Sequence, residues 1–290
     1  MPPTGNPNVR RRTLLYKALK TVTAVGSIAS LINPFEPAAA VSAFYAGRGQ
    51  PGTPGDGDLE NGHRSLSSGV YRLRYEWYDD RYRTLDVRID RSTYTSAAHR
   101  SRGYVSAFDA ARSTPTAERI GSALSRVVRP DPGGSHSAEQ RRLATAVAFV
   151  RSFEYAVDPD TKGSVEYHRD PVETLVDGRG DCKDLTYLLA AILSQPPFEY
   201  RTAMVFIPEH MLLGVHRADL PSAGANDTLA DTDYVPIEST TSEPIGTLTR
   251  GPLLGIYNQG FEYFDTDAAG ETAIESIRNP SEIDVVRRSL

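Results

Sequence analysis

Cysteine is almost absent from this chain, whose 290 residues include a single one, Cys182. One cysteine excludes an intramolecular disulfide, a structural zinc site built from several thiolates and a thiolate-bound iron–sulfur cluster. Its thiol is therefore either a small packed core residue or a group with a chemical use.

Other common catalytic signatures are also missing. The sequence contains no glycine-rich phosphate loop, no His-Glu-x-x-His and no Gly-x-Ser-x-Gly, and its six histidines show no metal-ligand spacing. We therefore expect neither a metal ion nor an organic cofactor. The formal net charge of −5 argues against nucleic acid as a partner, because phosphate backbones are bound by an excess of basic side chains.

Long apolar runs are absent too, and the N-terminal segment is only weakly apolar. Within residues 1–40, Arg10-Arg11-Arg12 is followed by a mildly apolar stretch over 22–32 and then by Ala38-Ala39-Ala40. This is the order of an export signal, and the paired arginines are similar to a twin-arginine signal. A basic amphipathic helix on a membrane or a disordered tail remains open. We expect an exported protein that is secreted or held at the cell envelope, with any membrane association through this segment alone.

The pattern of apolar residues predicts both helices and strands after residue 68. Residues 70–78 and 82–89 alternate between apolar and polar and predict a β-hairpin. Residues 116–128 predict a short amphipathic helix, and the capping box over 137–140 predicts the start of another.

Three apolar runs further along predict strands, over 203–207, 211–215 and 233–237. The Gly, Pro and Asp residues before residue 69 instead predict a flexible linker. The sequence thus divides into an export signal (1–40), a linker (41–68), a β-hairpin region (69–115), an α+β core (116–258) and a C-terminal tail of weak helical character (259–290).

The single cysteine lies at a predicted helix start. Gly180 belongs to a turn, Asp181 can cap the helix, and Cys182 is its first residue. Unpaired backbone N–H groups and the helix dipole favour a negative charge there, as a nucleophilic thiolate requires. Lys183 follows directly and is expected to be solvated.

Two later residues are placed to assist such a thiolate. His210 opens one predicted strand and Glu238 closes another, so each comes from a different element than Cys182. A thiolate needs a base, and the base needs a third group that fixes its orientation. His216 lies about 20 Å from His210 along an unbroken strand and cannot share the site.

At these residues the sequence resembles the transglutaminase-like superfamily. The matching segments carry the cysteine, the histidine and the carboxylate in that order, and they comprise residues 171–175 (PVETL), 180–184 (GDCKD), 188–193 (LLAAIL), 205–215 (VFIPEHMLLGV) and 234–240 (YVPIEST). The resemblance covers about residues 140–245. Many members have an acidic residue in place of Lys183, and aspartate is commoner than glutamate at the position of Glu238.

The resemblance implies a papain-like fold, in which a cysteine-bearing helix packs on an antiparallel sheet. It implies Cys182 as nucleophile, His210 as base and acid, and Glu238 as the carboxylate that orients the histidine. The expected chemistry is acyl transfer from amide bonds of a protein or peptide through a thioester, by a protease, an amidase or a transglutaminase. The alternative is a catalytically silent binding module of the same fold at the cell envelope.

Overall fold

A computed structural model of the chain describes residues 53–100, 102–128, 135–164, 166–221, 229, 232–248 and 252–264. For residues 261–264 it describes the backbone alone. The predicted export signal (1–40), the start of the predicted linker and the end of the predicted tail (265–290) lie outside the described residues.

The alternating residues near the N-terminus form a four-stranded antiparallel sheet. Its strands, in spatial order, are β1 (Gly57–Leu59), β2 (Gly62–Ser67), β3 (Val70–Tyr78) and β4 (Tyr82–Asp90). The predicted hairpin is confirmed, since β3 and β4 pair from Val70–Asp90 to Tyr78–Tyr82. One face is buried because its residues are apolar, and it contributes Tyr71, Leu73, Tyr75 and Trp77 to the core.

The prediction of a flexible linker over residues 41–68 is wrong for residues 57–67. Strand β2 pairs with β3 along its whole length, and Leu59 and Leu66 pack against the core. Arg64 Nη1 donates to the carbonyl of Val176 at 2.7 Å. Glu60 and Asn61 make the tight turn between β1 and β2, and Gly62 follows it with a positive φ, so a composition typical of linkers here belongs to a hairpin.

Gly62 makes that turn possible, and Gly62→Ala is expected to destabilise the fold. Its φ is +152°, and a Cβ would lie 1.8 Å from the carbonyl oxygen of Arg74 in β3. We expect the free energy of unfolding to fall by at least about 2 kcal/mol, measured by urea titration with the fluorescence of the single tryptophan, Trp77. Gly55→Ala is the control, because a Cβ there meets nothing within 4 Å. Equal losses in the two variants would contradict the pairing of β2.

Helices fill the middle of the chain. They are α1 (Arg91–Ala98), α2 (Tyr104–Ala111), α3 (Pro115–Val127), α4 (Ala138–Arg151), α5 (Asp158–Thr161), α6 (Pro171–Asp177) and α7 (Cys182–Leu193). The predicted helix at 116–128 is confirmed as α3. The predicted capping box is confirmed at α4, where Ser137 Oγ accepts from Gln140 N at 3.1 Å and Gln140 Oε1 accepts from Ser137 N at 2.6 Å.

Two further sheets complete the fold. Strands β5 (Glu154–Tyr155) and β6 (Arg179–Gly180) form a short parallel pair. Five antiparallel strands form the larger sheet in the order β11-β10-β7-β8-β9. They span Thr202–Ile207 (β7), His210–His216 (β8), Tyr234–Ile237 (β9), Gly255–Tyr257 (β10) and Phe261–Phe264 (β11).

The predicted boundary between core and tail at residue 258 is misplaced. Asn258 N donates to the carbonyl of Gly260 at 2.9 Å, and Gln259 has a φ of +60°. This turn returns the chain along β10, so β11 extends the sheet where weak helical character was expected. The edge of β10 offers unpaired backbone groups, and the aromatic residues of 261–264 favour a strand that pairs with them.

Helix α7 occupies the centre of the molecule. Every residue from Lys183 to Leu193 is buried, while Cys182 at its start is half-buried. The helix packs on β8 and β7 on one side and on α2, α3, α4 and α6 elsewhere. The N-terminal sheet shares this core, because Tyr75 stacks edge-on against Phe149 and its hydroxyl donates to the carbonyl of Leu175 at 2.7 Å.

The described residues therefore form a mixed structure of helices and antiparallel sheets, as predicted, with a cysteine at the start of its central helix. Among them, no helix has both the length and the apolar character that crossing a membrane requires.

Candidate active site

The structure places Cys182 at the first position of α7, at the surface end of an otherwise buried helix. Asp181 caps the helix as predicted, and its Oδ1 accepts from Lys183 N at 3.1 Å and from Asp184 N at 3.3 Å. Gly180 lets the chain pass close to the first turn, since a Cβ on it would lie 2.7 Å from Asp184 Cβ. The sulfur thus lies where the helix dipole favours negative charge.

His210 reaches the same place from the sheet. It is the first residue of β8 and follows a tight turn in which Glu209 adopts a φ of +58°. The turn pairs His210 with Ile207 and puts the imidazole at the beginning of β8, where it hydrogen-bonds with Cys182 at the start of α7. The side chain is 7% exposed.

Glu238 follows β9, the strand next to β8, and its carboxylate faces His210. Glu238 Oε2 lies 2.7 Å from His210 Nε2, which leaves Nδ1 of the ring for the Cys182 sulfur. Glu238 Oε1 accepts from Thr240 N at 2.7 Å and from Thr240 Oγ1 at 2.6 Å. Both carboxylate oxygens therefore have partners, and the side chain is held in one orientation.

Helix α4 binds the backbone of the segment that contains Glu238. Arg151, the last residue of α4, donates from Nε to the carbonyl of Glu238 at 2.9 Å and from Nη2 to that of Glu243 at 2.7 Å. Sequence reasoning missed Arg151 and Thr240 as supporting residues. Thr240 follows the predicted carboxylate by two residues, a spacing typical of a local side-chain to backbone bond, but no local pattern indicates Arg151.

The electrostatics of the three residues favour a charged histidine. Burial lowers the pKa of His210, but hydrogen bonds to Cys182 and Glu238 outweigh it and raise the pKa to about 10. Burial likewise opposes ionisation of Glu238, yet the bonds from His210 and Thr240 lower its pKa to about 2. At neutral pH the site thus holds an imidazolium between a carboxylate and the cysteine sulfur, an arrangement suited to a nucleophilic thiolate.

The structure brings Cys182, His210 and Glu238 together and leaves His216 elsewhere, while His168 and Tyr167 upstream of the cysteine have contacts of their own. His216 lies at the opposite end of β8, where its Nδ1 accepts from Ala218 N at 3.2 Å. His168 is buried against Tyr187, with 3.0 Å between Nδ1 and the tyrosine hydroxyl. The hydroxyl of Tyr167 donates to Glu173 Oε2 at 2.7 Å, so this tyrosine has a structural contact.

The expectation of a solvated Lys183 is wrong. Its side chain is 6% exposed, and its Nζ lies 2.6 Å from Asp158 Oδ2 and also contacts Asp181 Oδ2. The sequence spaces Asp158 from Lys183 by 25 residues, so no local pattern could indicate the pair. The physical reason is that a lysine surrounded by carboxylates gains more from pairing than it loses in hydration.

One group of described residues has the chemistry of a metal site. The carboxylates of Asp158, Asp181 and Asp184 are buried, and one oxygen from each lies within 4.8 Å of the others. Two cationic side chains occupy this group, Lys183 and Arg169, the latter donating to Asp158 Oδ1 at 2.8 Å and also to Asp184.

Comparison with known proteins returns little. No protein-family model matches the chain, and no curated protein matches it. Among solved structures, three of Legionella pneumophila LapG are similar to part of it. The first has 18% identity over 61% of this chain and 97% of LapG, with a TM-score of 0.33. The calcium-bound form has 18% identity over 62% and 100%, with a TM-score of 0.31. The EGTA-treated form has 21% identity over 61% and 97%, with a TM-score of 0.29. Because TM-scores below 0.5 do not establish a common fold, the chemistry of the site is inferred from its own contacts.

Proposed function

We propose that this chain is a cysteine hydrolase of the transglutaminase-like type that cleaves amide bonds in peptides or proteins. The observation that carries the proposal is the contact series from Cys182 to His210 to Glu238, with 2.7 Å between His210 Nε2 and Glu238 Oε2. Nucleophile, base and orienting carboxylate come from the start of a helix and from two neighbouring strands, as the resemblance implies.

The proposed reaction has two steps, and His210 gives up a proton in the first and takes one back in the second. The Cys182 thiolate attacks the amide carbonyl carbon, the C–N bond breaks, and the leaving amine takes a proton from His210. Water then attacks the thioester on Cys182 while His210 takes a proton from it. The C–S bond breaks, which releases the acid and restores the thiolate and imidazolium.

One feature of the chain supports this chemistry. The backbone N–H of Cys182 is the candidate oxyanion donor, because the first N–H groups of a helix have no acceptor within it. We propose hydrolysis rather than transfer to an amine because water needs no second binding site.

Alkylation of Cys182 tests the proposal, and the absence of any other cysteine makes the labelled residue unambiguous. The imidazolium of His210 persists as pH rises from about 6.5 to 10, because its pKa of about 10 lies above the ordinary value of 6.5. We therefore expect iodoacetamide to label Cys182 at about pH 6, where an ordinary thiol is protonated and unreactive. His210→Gln should slow this labelling at least about tenfold at pH 6, with a smaller difference above pH 10.

His216→Gln is the matched control, since it changes a histidine at the other end of the same strand. It should label at the wild-type rate when intact mass is followed over time. Labelling that becomes measurable only above about pH 8 in both the wild type and His210→Gln would instead favour the silent binding module.

A further inference from the structure

The strongest unused feature of the molecule is a buried group of charges beneath Cys182. Three aspartates meet there from two parts of the chain: Asp158 begins α5, while Asp181 caps α7 and Asp184 lies in its first turn. All three are buried. Carboxylates in such a place repel one another strongly unless a cation lies between them.

The chain supplies that cation from Lys183, the residue directly after the cysteine. Lys183 Nζ lies 2.6 Å from Asp158 Oδ2, contacts Asp181 Oδ2 and lies 3.5 Å from Glu166 Oε1. Although burial opposes it, these carboxylates raise the pKa of Lys183 well above its usual range. The ammonium is therefore charged at neutral pH.

A divalent cation does not fit in the same position. Calcium requires about 6–8 oxygen ligands at about 2.3–2.6 Å, and it would compete here with an ammonium already 2.6 Å from one of those oxygens. Arg169, which is fully buried, adds a second positive charge against Asp158 and Asp184.

The lysine also acts on the start of the cysteine helix. Asp181 uses one oxygen to cap α7 and the other to bind the ammonium of Lys183. The contact therefore fixes the cap whose neighbouring residue is Cys182. A helix cap that is free to rotate would change the position of the sulfur relative to His210.

We propose that Lys183 is a positioning residue that takes the place of a divalent cation among Asp158, Asp181 and Asp184, so that the reactivity of Cys182 is independent of metal. This inference rests on the proposed function for its rate measurements, but its thermal measurements do not depend on catalysis.

The wild-type chain gives the first test, with the melting temperature and the rate of Cys182 alkylation measured in EGTA and in calcium chloride. Both quantities are expected to be the same in the two buffers. A melting temperature or a rate that falls in EGTA would overturn the inference. An unreactive cysteine with an unchanged melting temperature would contradict the proposed function and leave the inference standing.

Substitutions at Lys183 give the second test, with rates measured well below the melting temperature of each variant. Lys183→Met is expected to slow alkylation by about 10- to 100-fold, because the cap of α7 loses its partner. Lys183→Arg, which keeps the charge, should remain within about threefold of the wild type. If Cys182 were alkylated in Lys183→Met as fast as in the wild type, the lysine would not position the cysteine. If Lys183→Met does not fold, the alkylation rates of Lys183→Arg and of the wild type, each measured in EGTA and in calcium chloride, test the inference instead. A rate that falls in EGTA for either protein would overturn it.

Lys183→Asp reverses the roles. It removes the ammonium and adds a carboxylate, so calcium should raise the melting temperature of this variant by several degrees and its alkylation rate severalfold relative to EGTA. A calcium response of equal size in the wild type, or none in Lys183→Asp, would contradict a lysine in the place of a cation.

Discussion

Cys182→Ala is expected to abolish the turnover of p-nitrophenyl acetate, a small activated ester that acylates reactive thiols. No other cysteine can replace the nucleophile, so we expect kcat/KM to fall by at least about 10³-fold. Release of p-nitrophenol measures the loss. Mass spectrometry should find the acetyl group on Cys182 of the wild type and no such adduct on the variant.

The same substitution should leave the fold almost unchanged. Cys182 is half-buried at the start of α7, and the helix is capped by Asp181 rather than by the thiol. We expect the melting temperature to stay within about 3 °C of the wild type. Turnover by Cys182→Ala at the wild-type rate would mean that another group is the nucleophile and would refute the proposed site.

Arg169→Met is expected to have the largest effect on stability. Arg169 is fully buried and pairs with Asp158 and Asp184, which are themselves buried. Removal of the guanidinium leaves the three buried aspartates of this group beside a single remaining cation of the group, Lys183. The loss of one partner from a buried ion pair costs about 3–5 kcal/mol, which urea unfolding followed by the fluorescence of Trp77 will measure.

Arg201→Met is the matched control for this prediction. Arg201 pairs with Asp219 at 2.7 Å, but its side chain is 52% exposed, so solvent screens the pair and its loss is expected to cost little stability. If Arg169→Met lost no more stability than Arg201→Met, the buried charges would not contribute to the fold in the way their contacts indicate.

Much of the architecture could be predicted from local patterns. The alternation over 70–78 and 82–89 predicts β3 and β4, and the capping box at Ser137 predicts the start of α4, because each signal depends on residues a few positions apart. The segment over 57–67 could not be predicted in this way. Its glycines and aspartates are typical of linkers, and only pairing with β3 makes two strands of it.

The tail shows the same limit. Residues 261–264 (FEYF) are mostly aromatic and favour a strand, and they become β11 because β10 presents an open edge after the turn at Gln259.

Local patterns are sufficient to predict which residues can meet at the candidate site. Cys182 begins a capped helix, while His210 and Glu238 lie at the ends of separate strands, and these positions follow from turns, caps and alternation. The surroundings of these residues depend instead on how the segments pack together. Packing buries Lys183 among carboxylates that lie up to 25 residues away in the sequence. It also brings Arg151 of α4 to the backbone carbonyl of Glu238. The physical reason is that helix and strand signals are local, whereas the charge that a buried side chain meets comes from segments distant in the chain.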